Sequence, residues 1–352
     1  MRREEAKRKL DTLINKSRVH FYKPIQIAEI LYHKRSDNPN LNLLELESYR
    51  IISRRWRDVV SKELLGNTCS SSARFQDNLF EDNAVPPEAL DVLGKENIRS
   101  KGAVEAYIYN KFNDKHEQLE EALLYCIAAK PENFDVRKLI DSFWETPGLR
   151  RSLDKVYEII VYSLFKTIVD ELDLKVDISV SDGKIGVLSE FEDFASKVMC
   201  IDCRKPIHSE SAHVYRVGVA NAADRGLDLY SNWGPAIQIK HLALSEELAE
   251  NIVESVSSDR IVIVCKQAES ALIFSLLTQI GWKSKIQSIV TEDELVAWYE
   301  KALRGTYRET MGKKLLETMI EQFELEFPSI RHERSSIIEQ RNYGEISDEF
   351  WK

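Results

Sequence analysis

The apolar positions of this chain change their period part-way along it. Through the first 145 residues they recur at helical steps: Ile25, Ile27, Ile30 and Leu31 on one face, then Leu43, Leu44, Leu46, Tyr49 and Ile52 on another. Arg54, Arg55 and Arg57 fall on a polar side around Trp56. This patterning predicts helices and little strand. Polar connectors at 36–40 and 66–74 separate them, and A-V-P-P-E at 84–88 marks a further helix start through its prolines. The turn signal T-P-G-L at 146–149 is where the pattern changes, so the chain divides into a helical domain over 1–147 and a second domain over 148–352.

The second part opens with a helix over Ser152–Leu172, in which Leu153, Val156, Ile160, Leu164 and Ile168 advance by three and four residues. Val176–Val180 reads as a strand, and 181–211 as an irregular insertion. His213–Ala220, Leu227–Tyr230 and Ala236–Leu242 then predict an antiparallel meander. After it helix and strand alternate: helix at Ser245–Ser255, strand at Arg260–Cys265, helix at Glu269–Ile280, strand at Lys285–Val290, and closing helices at Glu292–Leu303 and Arg308–Phe323. The implied class is α/β (α+β), a helical N-terminal region followed by a mixed β-sheet core flanked by helices.

Composition narrows the function classes. With 43% apolar residues over 352 positions the chain can fill one large core or two ordinary ones. No run approaches the roughly 18–20 uncharged apolar residues of a spanning helix; the best stretch, Tyr157–Val169, is shorter and carries Lys166. No apolar segment follows the charged M-R-R-E-E-A-K-R-K start, and five scattered cysteines fit a reducing compartment, so a cytoplasmic location is expected. Cys200 and Cys203 form a C-x-x-C with His208 and His213 downstream, but the spacing matches no familiar finger and no second C-x-x-C exists; zinc there is not expected. The net charge of −9 argues against a polyanion partner only until its distribution is examined. Residues 1–60 hold 14 basic against 8 acidic residues, leaving 35 basic against 50 acidic for the rest. Any contact to a polyanion must then come from local patches.

The segment Gly226–His241, G-L-D-L-Y-S-N-W-G-P-A-I-Q-I-K-H, carries the chemistry. It reads as strand, turn, strand, and side chains two apart on a strand share a face. Gln238 and Lys240 therefore point one way and Ile237 and Ile239 into a core, while Asp228 on the neighbouring strand can reach the same space. Hydrolysis of a phosphodiester needs charge neutralised on the phosphoryl oxygens and a water activated. Magnesium, which takes hard oxygen ligands, suits Asp228, the amide oxygen of Gln238 and the backbone carbonyl of Ile239. Lys240 would sit by the scissile phosphate, and Glu158 on the preceding helix is the candidate second carboxylate. Asp224, in A-A-D-R-G, competes for the metal but reads better as a turn former. His241 should face away from Lys240 in a packing role.

The order of Glu158, Asp228 and Gln238-Ile239-Lys240 resembles the PD-(D/E)xK nuclease core, with glutamine where the second motif usually has an acidic residue. The N-terminal half, with R-V-H-F-Y-K-P-I-Q-I-A-E-I-L-Y at 18–32, R-W-R-D at 55–58, S-S-A-R-F-Q-D at 71–77 and V-E-A-Y-I-Y at 104–109, resembles the type II restriction endonucleases of the HaeII family. That resemblance implies magnesium-dependent cleavage of double-stranded DNA at a short palindrome, R-G-C-G-C-Y. Cutting both strands of a palindrome is simplest with two sites about a two-fold axis, so a homodimer is expected. Arg54, Arg55, Arg57, Arg74 and Gln76 are the candidate DNA contacts. Two other readings stay open on the residues alone: a repair or recombination nuclease that reads DNA structure, and a DNA-binding regulator without catalysis.

Overall fold

The structure is a computed structural model that describes all residues except 18–19, 67, 70–77, 147, 218–226, 279–284, 329–335, 348–350 and 352. Its first part consists of α1 (Arg3–Lys16), α2 (Tyr22–Ser36), α3 (Ile52–Leu65), α4 (Pro87–Arg99), α5 (Ala103–Ala128) and α6 (Val136–Glu145). Pro86 and Pro87 stand at the start of α4, where a missing N–H costs nothing. The helix expected through Leu43–Ile52 is reduced to a single 3-10 turn at Leu46–Ser48, with α3 beginning only at Ile52. Two of the apolar residues there are buried without a helix: Leu43 and Tyr49 enter the core, and the Tyr49 hydroxyl donates to the Leu43 carbonyl at 3.1 Å, while Leu44 and Ile52 stay exposed.

Helix α7 (Leu153–Glu171) leads into β1 (Lys175–Ser179). The stretch read as irregular holds two short helices, α8 (Ile185–Glu190) and α9 (Glu192–Val198), and then β2 (Ile207–Ser211), which pairs antiparallel with β1. The main sheet follows: β3 (Val214–Arg216), β4 (Leu229–Ser231), β5 (Ala236–Ala243), β6 (Ile261–Gln267) and β7 (Ile286–Thr291), side by side in that order. The β3–β4–β5 pairs are antiparallel and the β5–β6–β7 pairs parallel, a mixed sheet as the pattern predicts. The crossover helices are α10 (Glu246–Ser255) and α11 (Ser270–Thr278); α12 (Glu292–Arg304), α13 (Arg308–Glu326) and α14 (Ser336–Gln340) close the chain. Ser245 caps α10, and Thr291 with Glu294 forms a reciprocal capping box at α12, so both helices start where the sequence supplies an acceptor for their free N–H groups.

Alternation along the strands divides the sheet between two apolar layers. Ile237, Ile239 and Val264 face a core built with Tyr157 and Ile160 of α7, Tyr299 of α12 and Phe323 of α13. Ala236, Ile261, Ile263 and Cys265 face the other way, onto Ile252 and Val253 of α10 and Leu276 of α11. Helix α5 spans two cores: Tyr109 and Phe112 belong to a helical core with α1–α4, Leu119 and Cys126 to the sheet core. Helix α6 also joins the sheet core, through Leu139 and Phe143.

The helical core is completed from far along the chain, by Ile337, Tyr343 and Trp351. Arg341 clasps Glu29 of α2 at 2.6 and 3.0 Å, lies 3.6 Å from the Tyr32 ring centroid, and Tyr109 donates to the same carboxylate at 2.6 Å. Beside it the Tyr343 hydroxyl donates to Glu105, which Arg35 also grips at 2.9 and 2.8 Å. Glu29 and Glu105 are both buried, and these donors are what makes two charged carboxylates tolerable there.

Candidate active site

The β4–β5 hairpin sets the geometry. Its turn is held by the Gly234 N–H donating to the Ser231 carbonyl at 3.2 Å and the Ser231 N–H to the Pro235 carbonyl at 3.1 Å. Gly234 sits at φ 120°, in the region that favours glycine, and a Cβ there would lie 2.0 Å from the Arg260 guanidinium. The turn fixes the register Leu229 opposite Ile237. One step further along the ladder Asp228 stands opposite Gln238, so the two side chains share a face and meet.

They are in contact. Asp228 Oδ2 accepts from the Gln238 side-chain amide and, at 2.7 Å, from the Ile239 backbone N–H. Gln238 is 1% exposed, and its amide oxygen is buried with no hydrogen-bond partner. Burial pushes the Asp228 carboxyl above the ordinary aspartate value, while the Ile239 N–H and the charges of Lys240 and Lys155 hold it partly back. Lys240, two residues beyond Gln238 on the same strand face, is half-buried.

Glu158 lies on α7 and is also buried. Burial pushes its carboxyl up to about 7, with the Asp228 charge adding to the push and Lys155 and Arg216 opposing it. Lys155, three residues earlier on α7, donates to both Glu158 oxygens at 2.9 and 2.8 Å. Arg216 of β3 reaches Glu158 at 3.8 Å and pairs with Glu326 of α13. Glu158, Asp228, Gln238 and Lys240 are thus brought to one region.

Lys155, Arg216 and Glu326 were not anticipated. Lys155 was legible as an i,i+3 partner of Glu158. Arg216 takes the strand parity of the buried Val214, an arginine on a core-facing position, which is a sequence signal for a buried ion pair; Glu326 arrives from a distant helix with no local signal.

His241 is turned away from Lys240, as expected, and its Nε2 lies 3.0 Å from Glu292. It packs edge-on against Tyr157. The proposed arginine cluster splits. Arg57 is not available to a ligand: it is 2% exposed, bound to Asp58 at 2.9 and 2.7 Å and to Gln26 of α2 at 3.1 Å, because its position on α3 faces the α2 packing surface. Arg55 is exposed and Arg54 half-buried. Arg74, Gln76 and Asp224 lie outside the described residues. Cys200 is exposed and Cys203 half-buried, both free thiols. Among the described residues no group of three or more His, Cys, Asp or Glu side chains is placed to hold a metal, and no helix is long and apolar enough to cross a membrane.

The donors gathered at the hairpin are two carboxylates, an orphaned amide oxygen and an amine, the set that phosphodiester hydrolysis would use. Comparisons with known proteins bear on the activity. The chain matches the model of the HaeII restriction endonuclease family over residues 6–343. It is 53% identical to the type II restriction enzyme HaeII of Haemophilus aegyptius over 324 residues, 92% of both chains. It is 50% identical to the type II restriction enzyme NgoBI of Neisseria gonorrhoeae over 341 residues, 97% of this chain and 96% of that one. No solved structure matches it. The chain belongs to the HaeII restriction endonuclease family and is a site-specific endonuclease.

Proposed function

We propose that this endonuclease hydrolyses double-stranded DNA at R-G-C-G-C-Y through a magnesium-dependent site of PD-(D/E)xK type, made of Asp228, Gln238, Lys240 and Glu158, and that it acts as a cytoplasmic homodimer. The observation that carries the reading is the buried, partnerless amide oxygen of Gln238 beside an Asp228 carboxylate whose two hydrogen bonds both fall on Oδ2. Buried polar atoms are rarely left unpaired without a purpose. An amide oxygen and two carboxylates form the hard, oxygen-only set that magnesium accepts, with water and phosphate oxygens completing its octahedron. A site of that kind needs no third carboxylate, so the donors fit the ion.

When bound, magnesium supplies charge neutralisation on the phosphate and lowers the pKa of an attacking water. The chain's own residues do the remainder. Asp228 is held in one orientation by the Gln238 amide and the Ile239 N–H, so its carboxylate needs no rearrangement during the reaction. Lys240 shares the Gln238 face and offers a point charge to the phosphoryl oxygens and a donor to orient the water. The Ile239 carbonyl is a further backbone ligand in this reading. Arg54, Arg55, Arg74 and Gln76 remain the proposed DNA contacts, and Arg57 is withdrawn from that set.

The test is to incubate the purified protein with unmethylated phage DNA, with magnesium or with EDTA, and to sequence the fragment ends. Discrete magnesium-dependent fragments sharing R-G-C-G-C-Y are expected. Fragments in EDTA would remove the metal from the reading, and a different shared palindrome would remove the recognition sequence.

A further inference from the structure

The residues from Leu174 to Ser211 form an arm with almost no core of its own. Both of its strands are exposed along nearly their whole length, and its interior consists of Leu188, Ala195 and Ile201 with Val180 and Cys203 packed beside them. A two-stranded ribbon with so little burial is marginal in isolation. Yet of the 26 large apolar side chains exposed among the described residues, nine lie in this tenth of the chain.

Four of them fall into register. Val187 of α8, Phe191 at the junction between the helices, and Phe194 and Val198 of α9 are spaced by four, three and four residues, and they are 54, 54, 51 and 63% exposed. The inward positions of the same helices are Leu188 and Ala195. Helices that are apolar toward both their own core and the outside are covered on both sides in the working molecule. The arm also carries seven acidic and five basic residues, a balance that does not suit a polyanion.

Its two ends are rooted at the site. Strand β1 follows the helix that bears Glu158, and β2 leads into the strand that bears Arg216. Asn232, in the β4–β5 turn, donates to the Ser211 carbonyl at 2.9 Å and to Glu210 at 3.1 Å, and accepts from the His213 N–H at 2.8 Å. The arm's root is thus tied to the turn that sets the Asp228–Gln238 register. The nine half-exposed side chains of the arm together offer on the order of 700 Å² of apolar surface, roughly half of it on the four residues from Val187 to Val198, against the ~800 Å² that each partner buries in a standard interface.

We infer that this arm is the dimerisation surface, where the Val187–Val198 stripe packs on the same stripe of a second copy of this chain across a two-fold axis. The inference rests on the proposed homodimeric nuclease and says where its interface lies. Self-complementary contact is what a two-fold axis demands, and a single apolar stripe satisfies it without any second surface. Rooting the interface beside the hairpin fixes the distance between two active sites, which a palindrome with a defined cut requires.

The experiment is light scattering on the size-excluded full-length protein, wild type against Phe191→Glu/Phe194→Glu/Val198→Glu, with and without a cognate duplex. The wild type is expected at twice 40.7 kDa and the variant at 40.7 kDa, with a dimer dissociation constant raised by at least about 100-fold. On supercoiled plasmid the variant should accumulate nicked circles where the wild type yields linear DNA. Because those side chains are exposed, the circular dichroism spectrum should not change. If the triple variant does not fold, a photo-crosslinking residue at position 194 of the otherwise native chain replaces it, and a crosslinked dimer is expected. A variant that stays dimeric, or one that keeps its dimer and loses DNA affinity, overturns the inference. A wild type that cleaves DNA yet is monomeric on it overturns the homodimer itself, and a wild type that cleaves nothing overturns the nuclease reading instead.

Discussion

Replacing Asp228 by asparagine separates what the site does for folding from what it does for chemistry. Asparagine keeps an oxygen where Oδ2 stands, so the Gln238 amide and the Ile239 N–H retain their acceptor. What disappears is the charge. Two charge-assisted hydrogen bonds become neutral ones, a loss of about 1 kcal/mol each. Against that stands the cost of keeping an ion in a buried setting, several kcal/mol. The carboxyl is raised above its ordinary value in the folded chain, which means that all these effects together favour the neutral form there. Asp228→Asn should therefore leave the metal-free protein as stable as wild type or more so, by about 1 kcal/mol, or 1–2 °C in a chain of this length. The pH dependence has a definite sign. The wild-type penalty is fully present where Asp228 is charged in the fold, at neutral pH, and fades as pH falls through its raised folded value toward the ordinary aspartate range. The advantage of the variant should shrink over the same interval. Cleavage should fall at least about 1,000-fold, the scale of losing one preorganised electrostatic contact. Thermal melts in EDTA across that pH range and single-turnover cleavage in magnesium measure the two sides. A variant that melts several degrees lower, or cleaves at the wild-type rate, would refute the reasoning.

Three further outcomes are expected. Lys240→Ala should abolish cleavage while leaving binding to the cognate duplex measurable in calcium by gel shift; equal loss of both would make Lys240 a binding residue only. Gly234→Ala should destabilise the protein by about 1–3 kcal/mol and lower cleavage, because the positive φ is strained for alanine and the new Cβ displaces Arg260; unchanged melting and activity would sever the turn from the Asp228 register. Arg341→Met should cost about 3–5 kcal/mol by leaving Glu29 buried and unpaired, and adding Glu29→Gln should restore part of it. A double variant that melts no higher than the single one would count against that account.

The main sheet and its helices were legible because its strands keep one apolar parity and several helices announce their start, α4 with a proline and α6, α10 and α12 with the side-chain caps Asp135, Ser245 and Thr291. The hairpin spacing lets Asp228 reach the space of Gln238 and Lys240 only if the register allows, and it is the turn that supplies that register, Leu229 opposite Ile237. Local pattern failed where tertiary packing supplied the reason. Arg57 looks like its neighbours Arg54 and Arg55 in sequence, but only Gln26 on another helix explains why it is drawn inward. Leu43–Ile52 carries helical spacing, yet only one 3-10 turn forms there, and of its apolar residues Leu43 and Tyr49 are buried without a helix. The Arg216–Glu326 pair spans 110 residues, a separation at which no periodicity carries information.

The clasp between Glu29 and Arg341 bears on the order in which the molecule is made. These partners are 312 residues apart, so on the ribosome α2 emerges long before the guanidinium that its buried carboxylate requires. Tyr343, the partner of Glu105, arrives later still, 238 residues after it. Until then the helical core holds two carboxylates without their full complement of donors and should remain open to water and to proteases. A DNA-cutting enzyme built this way finishes its own scaffold only after its β4–β5 hairpin has already been synthesised, so a nascent chain released early lacks the residues that close the helical core.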